Sequence, residues 1–202
     1  MNRIESQQKH LDRQTAESLV GTHNTMSYLT PRTWWGRLLR VFARCQDLSL
    51  EEQIRAGVKV FDLRVVLHHG VWTFAHGIVD FDPSETLHGV IGRLPAGSVV
   101  RIIMERDRGD CIPFDVMCSG LERDYPHLTF IGGRRKSDWL HVHRFAGEEI
   151  WPDSTLHQHV GSMVSDARWY ERLIPVLYAR RTRGRHTPAD GINLYDFVQK
   201  LE

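Results

Sequence analysis

Two histidines, an arginine and an aspartate stand at the ends of apolar stretches and could together perform acid–base chemistry on a phosphodiester. They are His23, Arg64, His76 and Asp196. One imidazole can take a proton from a nucleophile while the other gives a proton to the leaving oxygen. A guanidinium offers a permanent charge and a fork of donors to phosphate oxygens, and a carboxylate behind the base fixes its tautomer. Because this chemistry needs no metal ion, the sequence predicts metal-free phosphodiester cleavage.

A fold in which strands alternate with helices must position these residues. Apolar runs bounded by turn residues predict strands at 19–22, 58–66, 71–76, 98–104, 128–131 and 191–198. Helical patterns are found at 33–45, 48–56, 83–93, 113–124 and 167–180. Ser49 and Glu52 have the spacing of a capping box, and Pro83 suits a first helical turn. This alternation predicts an α/β fold with a mainly parallel sheet, in which catalytic groups lie at the carboxyl ends of strands.

Length and composition set the broad class of the protein. The chain has 202 residues, of which 41% are hydrophobic and 25% charged, as in an ordinary globular domain. We expect a single catalytic domain over 1–202, with 1–17 as an N-terminal arm or helix. The net charge of +1 provides no overall basic field for nucleic acid. No apolar run reaches the roughly 20 residues of a membrane-spanning helix, and no signal peptide is evident.

Three motifs resemble the X-box of phosphatidylinositol-specific phospholipase C, in the order typical of that family. They are GTHNTMSYL (21–29), LSLEEQIRAGVKVFDLRV (48–65) and TFAHG (73–77). Weaker similarity to the bacterial-type branch covers HRFAGEEIWPD (143–153), MVSDARWYERL (163–173) and GINLYDFV (191–198). The resemblance implies a TIM-like (β/α) barrel. It also implies cleavage of the glycerol–phosphate bond of phosphatidylinositol, or of its glycan-linked form, to inositol 1,2-cyclic phosphate and diacylglycerol.

The resemblance also implies a role for each matching residue. His23 would be the general base on the inositol 2-hydroxyl, His76 the general acid and Arg64 the phosphate ligand, with Asp196 orienting His23. The substrate-binding residues would be Asn24, Asp62, Arg144 and Asp166. For Asp62 two roles remain open: it could assist His76, or it could form an ion pair with Arg64.

Arg64 separates the two branches of the family. The calcium-dependent enzymes have an acidic ligand at that position, and a cation there would repel calcium. We therefore expect the metal-independent branch and no cofactor. Asn24 departs from the bacterial pattern, which usually has Asp there.

The chain is also shorter than the bacterial enzymes, and one strand–helix unit of that family is not found in its sequence. No strand–helix unit is evident between 167–180 and the last strand. Either the barrel has fewer strands and is distorted or incomplete, or residues 173–179 (LIPVLYA) supply one. The stretch MERDRGD (104–110) also differs from the family, so Glu105 and Asp107 receive no role.

Trp34 and Trp35 lie on a helix-like stretch with Arg32, Arg37 and Arg40. Indole rings and arginines suit the headgroup region of a membrane, so we predict membrane contact. The alternative is a core face made with Leu38, Val41 and Phe42. The expected partner is a phosphatidylinositol-type phospholipid at a membrane surface, bound peripherally by a monomer that is cytoplasmic or leaderless. Arginines at 180, 181, 183 and 185 could be a solvated loop or a contact for anionic lipid.

Two other functions compete with this one. A catalytically weak inositol-lipid-binding module would not need two imidazoles. A glycerophosphodiester phosphodiesterase needs a metal on a Glu-x-Asp pair, where this chain has Asp62-Leu63-Arg64. Paired histidines at 68–69, 141–143 and 157–159 have no third ligand of suitable spacing and are predicted to be surface or loop residues. Three cysteines without metal-type spacing are expected to be reduced thiols.

Overall fold

A computed structural model describes residues 18–106, 114–135, 143–183, 185 and 188–200. The strands are β1 (Ser18–Thr22), β2 (Val60–His68), β3 (Val71–His76), β4 (Val79–Asp80), β5 (Val99–Arg106), β6 (Thr129–Arg135), β7 (Leu156–His159) and β8 (Gly191–Tyr195). The helices are α1 (Trp34–Leu38), α2 (Arg40–Ala43), α3 (Leu50–Arg55), α4 (Leu87–Ile91), α5 (Phe114–Asp124), α6 (Trp169–Leu173) and α7 (Pro175–Thr182), with short 3-10 turns at Ala146–Glu149, Asp153–Thr155 and Val198–Lys200. The predicted arm at 1–17 and the residues Asp107, Cys111 and His141 lie outside the described residues.

The strands form one curled sheet whose parallel part runs in the order β7–β8–β1–β2–β5–β6. Strand β3 pairs antiparallel with the second half of β2, and β4 pairs antiparallel with β3. Among the described residues β6 and β7 are the two ends of the parallel part and do not pair with each other. The predicted α/β class and the distorted or incomplete barrel are therefore confirmed.

Strand β2 lies in the middle of this sheet, between β1 and β5, and is buried along almost its whole length. Its side chains pack on both faces, as expected for a parallel strand covered on each side. Gly21 lets β1 approach β2 and β8, since a Cβ there would lie 2.6 Å from Leu194 Cδ2 and 2.7 Å from Val60 Cβ. The glycine before the Thr22-His23 pair is thus required by close packing.

Residues 173–179 do not form the additional strand that the sequence left open. The region 167–180 instead makes two helices that meet at Ile174, with Pro175 in the first position of α7. The described part of the chain therefore has fewer parallel strands than a closed eight-stranded barrel. The sequence analysis also missed β7. Its residues LHQH do not alternate between apolar and polar side chains, and all four are half-buried in the structure.

Several element boundaries differ from the sequence prediction for local reasons. Helix α4 begins after Thr86, whose hydroxyl accepts from the Gly89 N–H, so Pro83 lies before the helix. Strand β6 continues through Gly132 and Gly133, which adopt positive φ angles of 94° and 64° beside an irregularity in the pairing with β5. The capping box of Ser49 and Glu52 forms as predicted at the start of α3.

Candidate active site

Strand register brings His23 and Asp196 side by side. Thr22, the last residue of β1, pairs with Tyr195, the last residue of β8. His23 and Asp196 are the next residues of the two strands, and the His23 N–H donates to the Tyr195 carbonyl over 3.0 Å. The imidazole Nδ1 of His23 lies 2.8 Å from Asp196 Oδ1, and both side chains are buried. The strand ends therefore create the histidine–carboxylate pair that was expected.

Arg64 fixes the protonation of His23. Its Nη2 lies 2.7 Å from His23 Nε2, and a guanidinium can only donate. Nε2 must therefore carry the lone pair, and Nδ1 carries the proton that it donates to Asp196. His23 is held as the neutral tautomer that a general base requires, with its basic nitrogen covered by Arg64.

Buried carboxylates hold Arg64 in this place. Its Nε donates to Asp62 Oδ2 over 3.1 Å, and its Nη1 lies 3.6 Å from Glu105 Oε2. Asp62 also accepts from Arg101 Nη1 and from the Asn24 N–H, each over 3.0 Å. Burial alone would raise the pKa of Asp62, but the charges of Arg64 and Arg101 outweigh it and hold that pKa well below its usual range. Of the two roles left open for Asp62, the structure shows the ion pair with Arg64.

His76 completes the cluster from β3. Its ring centroid lies 5.7 Å from that of His23, and the two rings are nearly perpendicular. Nδ1 donates to the Ala43 carbonyl over 2.8 Å, which leaves Nε2 as the nitrogen that can serve a ligand. Burial lowers the pKa of His76 to about 4, and the nearby His23 and Arg64 add to this effect. The next residue, Gly77, is fixed because its N–H donates to Glu105 Oε1 over 2.6 Å.

Gln46 is a positioning residue that the sequence analysis missed. Its fully buried amide donates to the carbonyls of His23 (3.0 Å) and Tyr195 (2.8 Å) and accepts from the Val198 N–H (3.2 Å). It therefore joins the loop after β1, the loop after β8 and the segment that carries Ala43. No local pattern marks a lone glutamine in a loop, whereas Arg101 was detectable as a charge inside an apolar strand.

The remaining predicted residues do not all join this cluster. Asn24 is fully buried beside it, and its side-chain Oδ1 and Nδ2 have no hydrogen-bond partner among the described residues. Asp166 is exposed and pairs with Arg181 at 3.4 Å, so its own contacts do not place it with His23. Arg144 is exposed, and no contact links it to the cluster.

Known proteins were compared with this chain in sequence and in fold. No family model matches. The 1-phosphatidylinositol phosphodiesterase of Listeria monocytogenes is 27% identical over 121 residues, which are 56% of this chain and 37% of that protein. The solved phosphatidylinositol-specific phospholipase C from Listeria monocytogenes superposes with a TM-score of 0.55 at 16% identity, over 93% of this chain and 90% of the other. A solved mutant of the phosphatidylinositol-specific phospholipase C from Staphylococcus aureus superposes with a TM-score of 0.58 at 13% identity, over 91% of this chain and 86% of the other.

The chain resembles the bacterial phosphatidylinositol-specific phospholipases C. The expected resemblance is thus confirmed in sequence similarity, and the likeness of fold extends over nine-tenths of the chain. The sequence match covers little more than a third of the curated relative's length.

The pKa of His76 makes a prediction for stability. The unfolded chain has the ordinary histidine pKa of 6.5, and the folded chain has a pKa of about 4. Between these pH values the unfolded state binds more protons, so stability falls as pH decreases. The contribution lost by about pH 4 is up to about 3 kcal/mol, since one pKa unit corresponds to about 1.4 kcal/mol.

Urea unfolding at pH 6.5 and near pH 4 measures this loss. His76→Gln should show a smaller decrease in unfolding free energy than the wild-type chain, while His88→Gln, at an exposed histidine, should match the wild type. An equal decrease in all three proteins would contradict the assigned pKa.

Gln46 makes a second prediction. Gln46→Leu leaves the buried His23 carbonyl without its Gln46 donor, which costs about 1–3 kcal/mol. The Tyr195 carbonyl keeps only the His23 N–H as a donor, so the variant loosens the His23–Asp196 pair. Gln53→Leu is the matched control, because Gln53 is equally buried and donates to the Thr25 and Leu48 carbonyls instead. Both variants should melt earlier, but only Gln46→Leu should weaken or broaden the downfield NMR signal of the His23 Nδ1 proton. Equal spectra would show that Gln46 supports the fold alone.

Proposed function

We propose that this protein is a phosphatidylinositol phosphodiesterase that acts by intramolecular attack of the inositol 2-hydroxyl on the phosphorus, without a metal ion. One observation carries the proposal: Arg64 donates to the basic nitrogen of His23 while the His76 ring lies 5.7 Å from that of His23. A cation for the phosphate is thus flanked by two imidazoles. The names of the relatives in Listeria and Staphylococcus support the choice of substrate.

Binding of the phosphodiester would uncover the base. The anionic phosphate oxygens compete for the Arg64 donors, and Arg64 can give up His23 while it keeps Asp62 and Glu105. Nε2 of His23 is then free to accept a proton from the 2-hydroxyl. Since the base is exposed only when an anion occupies Arg64, the site selects for charged diesters.

The reaction then proceeds by general base and general acid catalysis. His23 takes the hydroxyl proton as the oxygen forms its bond to phosphorus, and Asp196 stabilises the imidazolium. His76 gives a proton to the glycerol oxygen as the phosphorus–oxygen bond breaks, so diacylglycerol leaves and the cyclic phosphate remains. The bound phosphate raises the pKa of His76 from its low value in the free protein.

Asn24 supports a polar ligand at this place. An amide buried without a partner costs free energy, and such groups are uncommon in folded proteins. A substrate hydroxyl or phosphate oxygen would supply the missing hydrogen bonds, so we assign Asn24 to substrate binding.

The carboxylates of the pocket do not require a metal ion. Asp62 is paired with Arg64 and Arg101, and Glu105 lies against Arg64. A calcium ion would need those oxygens and would be repelled by the guanidinium. The same pairs disfavour the alternative of a glycerophosphodiester phosphodiesterase.

Exposed apolar side chains on α1 and α2 and just after β3 support docking on a membrane. Trp34 and Leu38 are 73% and 71% exposed, and Phe42 and Ile78 are also exposed. The alternative core face of Leu38, Val41 and Phe42 is therefore wrong. Phe42 and Ile78 line a cavity of about 300 Å³ that also reaches His76. No described helix has the length and apolar character to cross a bilayer.

Activity on phosphatidylinositol vesicles in the presence of a chelator tests the proposal. We expect release of inositol 1,2-cyclic phosphate, and a loss of about 10³-fold or more in His23→Ala and in His76→Ala. Arg64→Lys should fail as badly, because an ammonium cannot replace the forked guanidinium. His88→Ala is the control. Vesicle binding without any product would instead identify a lipid-binding module, and activity that needs added calcium would exclude the metal-free mechanism.

Membrane docking makes a separate prediction. Replacing Trp34 and Trp35 together by alanine should weaken vesicle binding and lipid cleavage, because indoles stabilise contact with the headgroup region. Hydrolysis of soluble inositol 1,2-cyclic phosphate should change little. Val116→Ala, at an exposed apolar residue of α5, should behave as wild type in both assays. An equal loss on both substrates with unchanged melting would place the tryptophans in the catalytic pocket.

A further inference from the structure

Cys45 stands behind the two histidines of the site. Its Sγ lies 3.7 Å from Nδ1 of His76. One ring nitrogen of His23, the Cys45 sulfur and a carboxylate oxygen of Asp196 all lie within 4.8 Å of one another. Each of the three residues is buried. A thiol, an imidazole and a carboxylate thus form one group, and the Cys45 sulfur also contacts the Nδ1 side of His76, away from the nitrogen proposed for proton transfer.

We propose that His23, Cys45, His76 and Asp196 form a binding site for a soft divalent metal ion such as zinc or cadmium, and that the bound ion inhibits the protein. The inhibition rests on the proposed function, whereas the binding itself does not.

A tetrahedral ion requires these side chains to draw together, because the ligand atoms of His23, Cys45 and Asp196 lie within 4.8 Å of one another. Zinc binds sulfur at about 2.3 Å and nitrogen or oxygen at about 2.0–2.2 Å, so neighbouring ligand atoms lie roughly 3.3–3.6 Å apart. The Cys45–His76 distance of 3.7 Å is already close to this value. The His23–Asp196 pair, now 2.8 Å apart, would open by about half an ångström as the metal replaces their shared proton.

The charges balance when the ion binds. Cys45 must lose its thiol proton, after which the thiolate and the Asp196 carboxylate neutralise the two charges of the metal. The imidazoles bind as neutral rings through Nδ1, so the proton on Nδ1 of each ring moves to Nε2. One proton is released for each metal bound, and the buried site carries no net charge, which avoids the penalty of an unpaired buried ion.

The new tautomer explains the inhibition. With a proton on Nε2, His23 can no longer accept one from a substrate hydroxyl. It also cannot accept from Arg64, so the guanidinium must turn away and rely on Asp62 and Glu105. His76 loses its bond to the Ala43 carbonyl. The metal therefore acts on both imidazoles without occupying the phosphate position.

The cavity beside His76 provides the path for the ion. Ala43 and His76 line this cavity, and Cys45 follows Ala43 by two residues. Entry requires the His76–Ala43 hydrogen bond to open, so we expect inhibition to develop over time. Magnesium and calcium prefer oxygen ligands and should have no such effect.

Cadmium binding gives a readout that does not depend on activity. Cadmium added to the metal-free protein should produce a thiolate charge-transfer absorbance, with one ion bound per chain. The absorbance should vanish in Cys45→Ala and persist in Cys118→Ala, which removes the other described thiol, also buried. Circular dichroism and melting establish that each variant is folded. Absorbance that survives in Cys45→Ala, or is absent from the folded wild-type chain, would overturn the proposal.

Zinc inhibition is then measured as the ratio of each protein's activity with zinc to its own activity with chelator. The zinc concentration for half-inhibition should rise about tenfold or more in Cys45→Ala and stay unchanged in Cys118→Ala. Equal inhibition of both variants would assign the effect to other histidines and refute an inhibitory role for this cluster. If the chelated wild-type protein cleaves no phosphatidylinositol, the proposed function fails, and the cadmium measurement still decides whether the site exists.

Discussion

The buried guanidinium of Arg64 is the charge on which the rest of the site depends. A cation inside a protein is costly unless carboxylates pair with it, and Asp62 and Glu105 supply that pairing from β2 and β5. The parallel register of these strands places Asp62 opposite Arg101, so Asp62 is itself held by a second cation. Removing any one of these groups would leave an uncompensated buried charge. The constraint explains why ionised side chains of both signs lie together inside the neighbouring strands β2 and β5.

The same guanidinium helps determine the protonation of the two imidazoles in the free protein. Arg64 covers Nε2 of His23, Asp196 fixes Nδ1, and burial keeps His76 neutral at ordinary pH. Neither imidazole is therefore ready for proton transfer in the free protein. An anion that binds Arg64 would release the base and raise the pKa of the acid together. In the proposed reaction, the charge of the substrate would in this way be coupled to the protonation of the two imidazoles.

The sequence predicted the part of this arrangement that depends on local pattern. The apolar run of β2 interrupted by Asp62 and Arg64, and His23 after a glycine-containing strand, were identifiable because buried strands and their polar ends have distinct compositions. Gln46 could not be predicted, since its three hydrogen bonds join loops that meet only through the tertiary fold. Strand β7 has no alternating pattern, and the division of 167–180 into two helices depends on Pro175. Asp166 was assigned from resemblance, but its ion pair with Arg181 is a contact that sequence spacing does not predict.

The barrel can stay open without loss of the site, because its two end strands and the site residues belong to different strands of the sheet. Strands β8, β1 and β2 are successive neighbours, and β3 and β5 both pair with β2. These five strands carry Asp196, His23, Arg64, His76 and Glu105, with Arg64 in the middle of β2 and the others at, near or just after a strand end. Strands β6 and β7, at the two ends of the parallel part, contribute none of these five residues. The hydrogen bonds that position the site run within this continuous set of strands and through Gln46. An unpaired edge at β6 or β7 therefore removes backbone hydrogen bonds from the sheet without removing a support of the site.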